Sequence, residues 1–497
     1  MGDYLKLFEK HSEYESYSGG GEMLKPNVSY CEDNNEVHYN PYVHDYSQDY
    51  LAFVALENGT ISFNILSSMG TDKIESISYS TDNGTTWTTT PNQDNKEDDL
   101  EITLNVNTGD TILWKGTATQ TGYFDEDEGD YVGSFFSSSC EFDAKGNVMS
   151  LLYGDNFKGE VDLTVKDGAF NDLFNNSKVV SAENLSLPAT TLENACYQDM
   201  FDGCTSLATA PVLPATTLAS SCYLGMFYRC TSLTTAPVLP ATTLASSCYY
   251  YMFQGCTSLT TAPVLPATTL ASSCYIGMFQ GCTSLTTAPV LPATTLASSC
   301  YQNMFMNCTS LTTAPVLPAT TLAEYCYQNM FKGCTALTTA PVLPATTLSD
   351  YCYSGMFEGC TSLTTAPVLP ATTLNYQCYL SMFNGCTSLT TAPELPATTL
   401  ADYCYQTMFY GCTSLTTAPE LPATTLVNYC YQRMFQGCTS LNYIKAMFTT
   451  APSSTRTGNW VSGVSSSGTF VKNSAATWNV TGVNGIPSGW TVKTVSA

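Results

Sequence analysis

Three groups of side chains in this 497-residue chain have the types and spacing to do chemistry. The first is cysteine. Of 22 cysteines, twenty form C-x7-C pairs that recur every 26 residues, from Cys196 and Cys204 to Cys430 and Cys438. Paired thiols can close disulfides or hold a soft metal. Zinc sites favour C-x2-C knuckles or nearby histidine, and the three histidines (His11, His38, His44) all precede the pairs. The pattern favours buried free thiols used as small hydrophobes, with a disulfide framework as the alternative. The second group is His38, His44 and Asp45 in HYNPYVHDY, a weak metal or acid–base candidate in a segment where surface histidines are common. The third is FDEDEGDY, where Asp125, Asp127 and Asp130 make a weak calcium candidate. Its oxygens suit Ca2+, but EF-hand spacing is absent, and a solvated loop is the plainer expectation. No nucleophile elbow, P-loop or dinucleotide fingerprint occurs. No carboxylate pair is set up for glycoside cleavage. The expectation is a protein that is not an enzyme and needs no cofactor.

The elements that position these groups follow from the period. Near-identical 26-residue units run from about 178 to 441, behind a looser one that starts near Ala169. A period of this size indicates a solenoid, propeller or array. Within CTSLTTAPVLPATTLASSCYIGMFQG, LTTAPVL reads as a short strand restricted by Pro263, and LPATTL turns the corner at Pro266. Leu270, Cys274 and Met278 then recur at i, i+4, i+8, which predicts a short helix ending at Gly281. On a wheel of about 100° per residue, Leu270, Cys274, Tyr275, Met278, Phe279 and Cys282 share one half. Ser272, Ser273, Ile276, Gly277 and Gln280 share the other.

The first set hardly changes between units and the second changes freely. The constant letters form the packed face that stacking buries. The varying positions line up outside and include Leu224, Tyr228, Tyr250, Tyr251, Ile276, Met306, Tyr325, Tyr351, Tyr376, Leu380, Tyr403, Tyr410 and Tyr429. Tyrosine suits a recognition surface, with large area and little entropy to lose, and stacked aromatics suit sugar rings. Neutral drift at exposed sites is the bland alternative. The strand side is a rival surface, where Val264 and its equivalents become Glu394 and Glu420 in two late units.

The recurring MFxGCTSL block (Met278 to Leu285 and its equivalents) resembles the BspA-type leucine-rich repeats. That resemblance implies a right-handed solenoid in which a strand and a short helical or turn segment alternate. The expected fold is therefore a repeat solenoid with a strand plus a short helix per 26-residue coil. An N-terminal antiparallel β-sandwich and a C-terminal cap complete it. Three strand–turn–strand stretches point to the sandwich: YLAFVALENGTISFNIL, IESISYSTDNGTTWTTT and LEITLNVNTGDTILWKG. Five regions result: an extended docking segment (1–49), the sandwich (50–145), an N-terminal cap with a degenerate repeat (146–177), the solenoid (178–445) and the C-terminal cap (446–497). The cap carries Trp460, Trp478 and Trp490 and is expected to break the period.

Net charge is −25, and 31 of the 42 acidic residues precede residue 169 with nine Lys and Arg, so the array is nearly neutral. That balance argues against nucleic acid and anionic lipid as partners. The sequence has neither an apolar run long enough to span a membrane nor a signal-peptide core. PNVSYCEDNNEVHYNP (Pro26 to Pro41) and GIPSGW (Gly485 to Trp490) resemble virion-associated proteins of phages that infect gut bacteria. This resemblance implies anchoring to other virion proteins through residues such as Pro26, Tyr30, Tyr39 and Tyr42. The solenoid would then face a host glycan or protein, and a homo-oligomer is compatible with it. A bacterial surface adhesin and a decoration protein without a ligand are the alternatives.

Overall fold

The computed structural model describes residues 27–30, 37–40, 44–65, 74–90, 100–118, 121–125 and 130–496. It opens with an antiparallel pair, β1 (Asn27–Tyr30) and β2 (Val37–Asn40). Ten strands follow: β3 (Leu51–Ala55), β4 (Gly59–Ile65), β5 (Ile74–Ser80), β6 (Thr88–Thr89), β7 (Leu100–Val106), β8 (Thr111–Ala118), β9 (Gly122–Asp125), β10 (Asp130–Gly133), β11 (Phe135–Ser138) and β12 (Phe142–Asn147). Strands β11-β4-β7 form one sheet and β12-β3-β8-β5-β6 another, which β13 (Val179–Ser186) extends. Phe53, Phe63, Trp114 and Phe136, drawn from both sheets, are fully buried, with rings 4.4 to 6.1 Å apart. Aromatic burial of this kind is the main force holding two layers together.

Two of the three expected hairpins are something else. The Asn58-Gly59 turn joins β3 to β4, and Asn107–Asp110 joins β7 to β8, but each pair of strands lies in different sheets. The chain arches between layers, and the two arches are tied by Gly109 N–H to Ala55 O (2.8 Å) and Thr108 N–H to Asn58 Oδ1 (2.9 Å). Pairing β4 with β7 and β3 with β8 lets the apolar faces of all four strands meet between the layers. Only β5 and β6 form the expected hairpin.

Strand β13 runs parallel to β12, so the first coil begins as one more strand of the sheet. Beyond it, coil meets coil through single parallel bridges at Thr235, Thr261, Thr287, Thr313, Thr339, Thr365 and Thr391. The strand shrinks to a bridge because Pro263, Pro266 and their equivalents carry no N–H for a ladder. Inside, each kind of side chain forms a column. The phenylalanine rings from Phe174 to Phe435 stack 5.2 to 5.8 Å apart, and those from Tyr197 to Tyr431 stack 5.8 to 5.9 Å apart. All 21 cysteines among the described residues are free and buried. Cys282 Sγ donates to Phe253 O at 3.1 Å, and its equivalents repeat that contact. Burial pushes the Cys300 and Cys334 thiols up to about 12.

The predicted helix over 270–282 is not a helix. It is a ribbon of consecutive turns with a left-handed residue every fourth position, at Ser273 (φ 59°), Gly277 (55°) and Gly281 (74°). From Ser273 to Cys282, even-numbered amides close turns, as Cys274 N–H does to Ala271 O. Odd-numbered amides cross to the next coil, as Tyr275 N–H does to Cys300 O at 3.1 Å. A helix would spend every amide on itself and leave this side of each coil joined to the next by side chains alone. The ribbon satisfies half of its amides between coils, as a sheet does. Its period of four also explains the stripe. A true helical stripe at this spacing would drift by about 40° per step, whereas Leu270, Cys274, Met278 and Cys282 keep one heading, all four buried.

The tail differs from expectation too. Asn459 (φ 55°) and Gly463 (φ 78°) keep the left-handed positions one period after Arg433 and Gly437. Strands β14 (Tyr443–Ala446), β15 (Thr469–Asn473) and β16 (Thr491–Val495) continue as a parallel sheet. Trp460 stands where earlier coils have Met, against Phe435 at 6.1 Å, and donates its indole N–H to Gly485 O. Among the described residues no helix is long and apolar enough to cross a membrane.

Candidate functional site: a tyrosine ladder on the turn ribbon

The core columns point inward at pairs of positions (274 and 275, 278 and 279), so the alternate pairs must face out. One outer position falls on the first left-handed residue of each ribbon. Left-handed backbone costs roughly 1–2 kcal/mol for a residue with a β-carbon, and glycine or asparagine is the economical choice there. Early coils place Ser221, Ser247, Ser273 and Ser299 at this site. Four later coils place Tyr325 (φ 57°), Tyr351 (58°), Tyr403 (61°) and Tyr429 (56°).

These rings form a ladder. Tyr325 stacks on Tyr351 with centroids 4.5 Å apart, and Tyr403 on Tyr429 at 4.6 Å. Tyr376, shifted by one residue in the intervening coil, bridges them edge-on at 5.4 Å to Tyr351 and 5.5 Å to Tyr403. Desolvation, then hydrogen bonding to the Tyr376 phenol, pushes the Tyr351 hydroxyl up to about 12. The Tyr403 hydroxyl is also raised, by desolvation first and then by the neighbouring phenols of Tyr429 and Tyr376. Carboxylates sit beside the rings. Asp350 accepts the backbone N–H of Tyr376 at 3.1 Å, and Asp402 accepts that of Asn428 at 3.0 Å. An aromatic platform bordered by carboxylates offers a face for the C–H side of a sugar ring and acceptors for its hydroxyls.

A second cluster lies nearer the N-terminus. Tyr250 and Tyr251 are 4.1 Å apart, Tyr228 is 6.4 Å from Tyr251, and the Arg229 guanidinium lies 4.7 Å from the Tyr228 ring. Tyr251 packs where a β-carbon at Gly277 would lie, 2.3 Å from that position, so the glycine makes room for the ring. With Asp199 and Asp202, Tyr228 and Tyr251 line an open groove of about 270 Å3. Burial raises the Asp202 carboxyl, against the pull of Arg229. Burial, then a hydrogen bond to Tyr251, raises the Tyr250 phenol.

The structure thus joins Tyr325, Tyr351, Tyr403 and Tyr429 in one cluster and Tyr228, Tyr250 and Tyr251 in another. Ile276 is only 7% exposed and leaves the candidate set, because it sits down among its neighbours rather than facing out. Met306 is half-buried in the column of Gln280 and Lys332, and Tyr410 is exposed in that same column but joins neither cluster. Asp350 and Asp402 are absent from the sequence-derived set. The recurring D-Y-C-Y tetrapeptide (Asp350 to Tyr353, Asp402 to Tyr405) carried the signal for the two aspartates.

The other candidates stand apart. Tyr30 and Tyr39 lie on β1 and β2, while Pro26 and Tyr42 fall outside the described residues. Asp125 and Asp130 pair across β9 and β10, and Asp127 lies outside the described residues. His44 contacts Asp49, and His38 pairs with Ser29 on the neighbouring strand. Among the described residues no group of three metal-ligating side chains comes together.

Stacked coils with leucine and cysteine columns inside and a free outer face define a leucine-rich repeat solenoid. The chain matches the model of the BspA type leucine rich repeat region in six copies, over residues 171–311, 247–389 and 353–455. These matches span more than half of the chain, and it belongs to that family. Repeats of this type suggest a surface-binding, adhesin-like role. No curated protein matches it.

Proposed function

We propose that this chain is a non-enzymatic recognition protein whose tyrosine ladder binds glycan on a cell surface. One observation carries this reading: four tyrosines occupy left-handed positions where backbone energetics favour glycine or asparagine. The other coils hold alanine, serine or glutamine there, so the backbone does not call for an aromatic ring, and its recurrence supports a role for the side chain. The test is a glycan panel read with the wild-type chain and with a Tyr325, Tyr351, Tyr403, Tyr429→Ser variant. The expected outcome is a defined set of glycans bound by wild type and at least tenfold weaker in the variant. Equal binding by both chains would remove the ladder from the account.

The resemblance of Pro26 to Pro41 to phage leaders supports a virion location, with residues 1–49 as the anchor to other virion proteins. A bacterial surface adhesin fits the repeats equally well, and a decoration without specific ligand is the third possibility. Peptide mass spectrometry of purified phage particles and of host envelopes separates them. Peptides in particles at a tail or head stoichiometry support the virion, and peptides in envelopes alone support the adhesin.

A further inference from the structure

The side of each coil away from the tyrosine ladder's ribbon carries a second column. Val212, Val238, Val264, Val290, Val316, Val342 and Val368 recur every 26 residues and are 72 to 77% exposed. They stand three residues after the bridging threonines, so adjacent rows lie about 4.8 Å apart. Together they expose roughly 700–800 Å2 of apolar surface, above the ~300–600 Å2 of the largest patch on an ordinary monomer. That is about the ~800 Å2 per partner of a standard interface. Each valine lies between prolines (Pro263 and Pro266 around Val264), which stiffen the backbone and remove N–H donors. The backbone of this surface is therefore stiff and short of free N–H donors. An added β-strand would find no continuous ladder on it.

We propose that this stripe is the interface of a homodimer in which two copies pack valine column against valine column, antiparallel, about Val290. The repeat selects the occupant: only a partner with the same rise per row matches seven rows at once, and a second copy has it. The charges select the orientation. The next two rows of the column are Glu394 and Glu420. A parallel pairing would set Glu394 against Glu394, a like-charge opposition that destabilises, while Glu420 is already paired with Lys445 at 2.9 Å. A twofold axis at Val290 places Glu394 opposite Ser186, the residue one row before Val212, and every valine opposite a valine. The contact is isologous and closed, as twofold dimers require. Each particle would then carry two tyrosine ladders.

Sedimentation equilibrium of the full chain tests this, with Val264→Asp, Val290→Asp and Val316→Asp combined in one variant. The proposal expects wild type at twice the 53.7 kDa chain mass at micromolar concentration. It expects the variant at the single-chain mass, with an unchanged far-ultraviolet circular dichroism spectrum because the replaced side chains are exposed on the single chain. Wild type that stays monomeric at about 100 μM, or a variant that stays dimeric, overturns it. A misfolded triple variant is replaced by Val290→Asp alone, judged by the same masses. Orientation is read by mild oxidation of Val290→Cys and Val212→Cys, each against wild type. Antiparallel packing links the first into covalent dimers and leaves the second unlinked; linkage of both, which a parallel pairing gives, or of neither overturns it.

Discussion

Two sets of tyrosines share the same array, and they behave differently. The inner set, Tyr197 to Tyr431, repeats in every coil at 5.8 to 5.9 Å and within about 11° of parallel, for example Tyr275 on Tyr301. The outer set, from Tyr325 to Tyr429, occurs in some coils only. It draws in to 4.5 and 4.6 Å where two rings stack and turns edge-on where the spacing slips. The inner spacing reports the geometry of the coil, since packed side chains have no freedom to move. The outer spacing departs from it, so ring–ring attraction sets it. The inner set is what stacking dictates; the proposed recognition face belongs to what stacking leaves open.

The sharpest way to break the inner set is alkali. In an unfolded chain thiols ionise from about pH 8.5. In the array, Cys196, Cys300, Cys352 and others hold their protons to about 12 because burial disfavours the thiolate. A raised native pKa means stability is complete below pH ~8.5 and is lost as pH rises, by up to about 1.4 kcal/mol per unit for each such thiol. With two columns titrating, circular dichroism should show cooperative unfolding between pH 9 and 12. A flat signal to pH 12 would contradict the burial of the columns.

Next in size is Phe305→Ala in the middle of the phenylalanine column. A loss of about 3–5 kcal/mol is expected. Hydrogen exchange should show it strongest in the coils around residue 305, because each repeat touches only its neighbours. Uniform acceleration along the chain would count against a nearest-neighbour solenoid.

Smaller effects separate backbone from side chain on the outer face. Gly277→Ala sets a β-carbon against the Tyr251 ring and strains a left-handed residue. It should lower stability by roughly 1–2 kcal/mol and move the Tyr251 ring resonances. Tyr429→Asn relieves the same kind of strain and should raise stability by up to about 1 kcal/mol while weakening binding. Chemical denaturation and a binding titration on the same sample would show whether the two changes part company. If Tyr429→Asn lowers stability, the tyrosine is there for packing.

Much of this was legible in the residues. The constant letters of each unit mark the buried face, and the 26-residue period marks the coil. The segment over 270–282 was misread because four-residue spacing is close to a helical turn. Its lack of drift over Leu270, Cys274, Met278 and Cys282 was the distinguishing sign, together with Gly277 and Gly281. The arches at Asn58 and Asp110 were hidden because a turn dipeptide specifies a local reversal and not which sheet receives the next strand. The ladder was partly visible as scattered tyrosines. Its continuity through Tyr376, one residue out of register, depends on how rings settle in three dimensions and leaves no periodic trace. Ile276 shows the converse, a varying letter that the coil nonetheless buries.

The measurement that bears most directly on the central claim is binding of fluorescent protein to intact host cells. The wild-type chain is compared with the Tyr325, Tyr351, Tyr403, Tyr429→Ser variant, both first shown to melt alike. The account predicts saturable binding by wild type and at least a tenfold loss in the variant. Saturable binding of equal strength by both chains would contradict it and transfer recognition to another face.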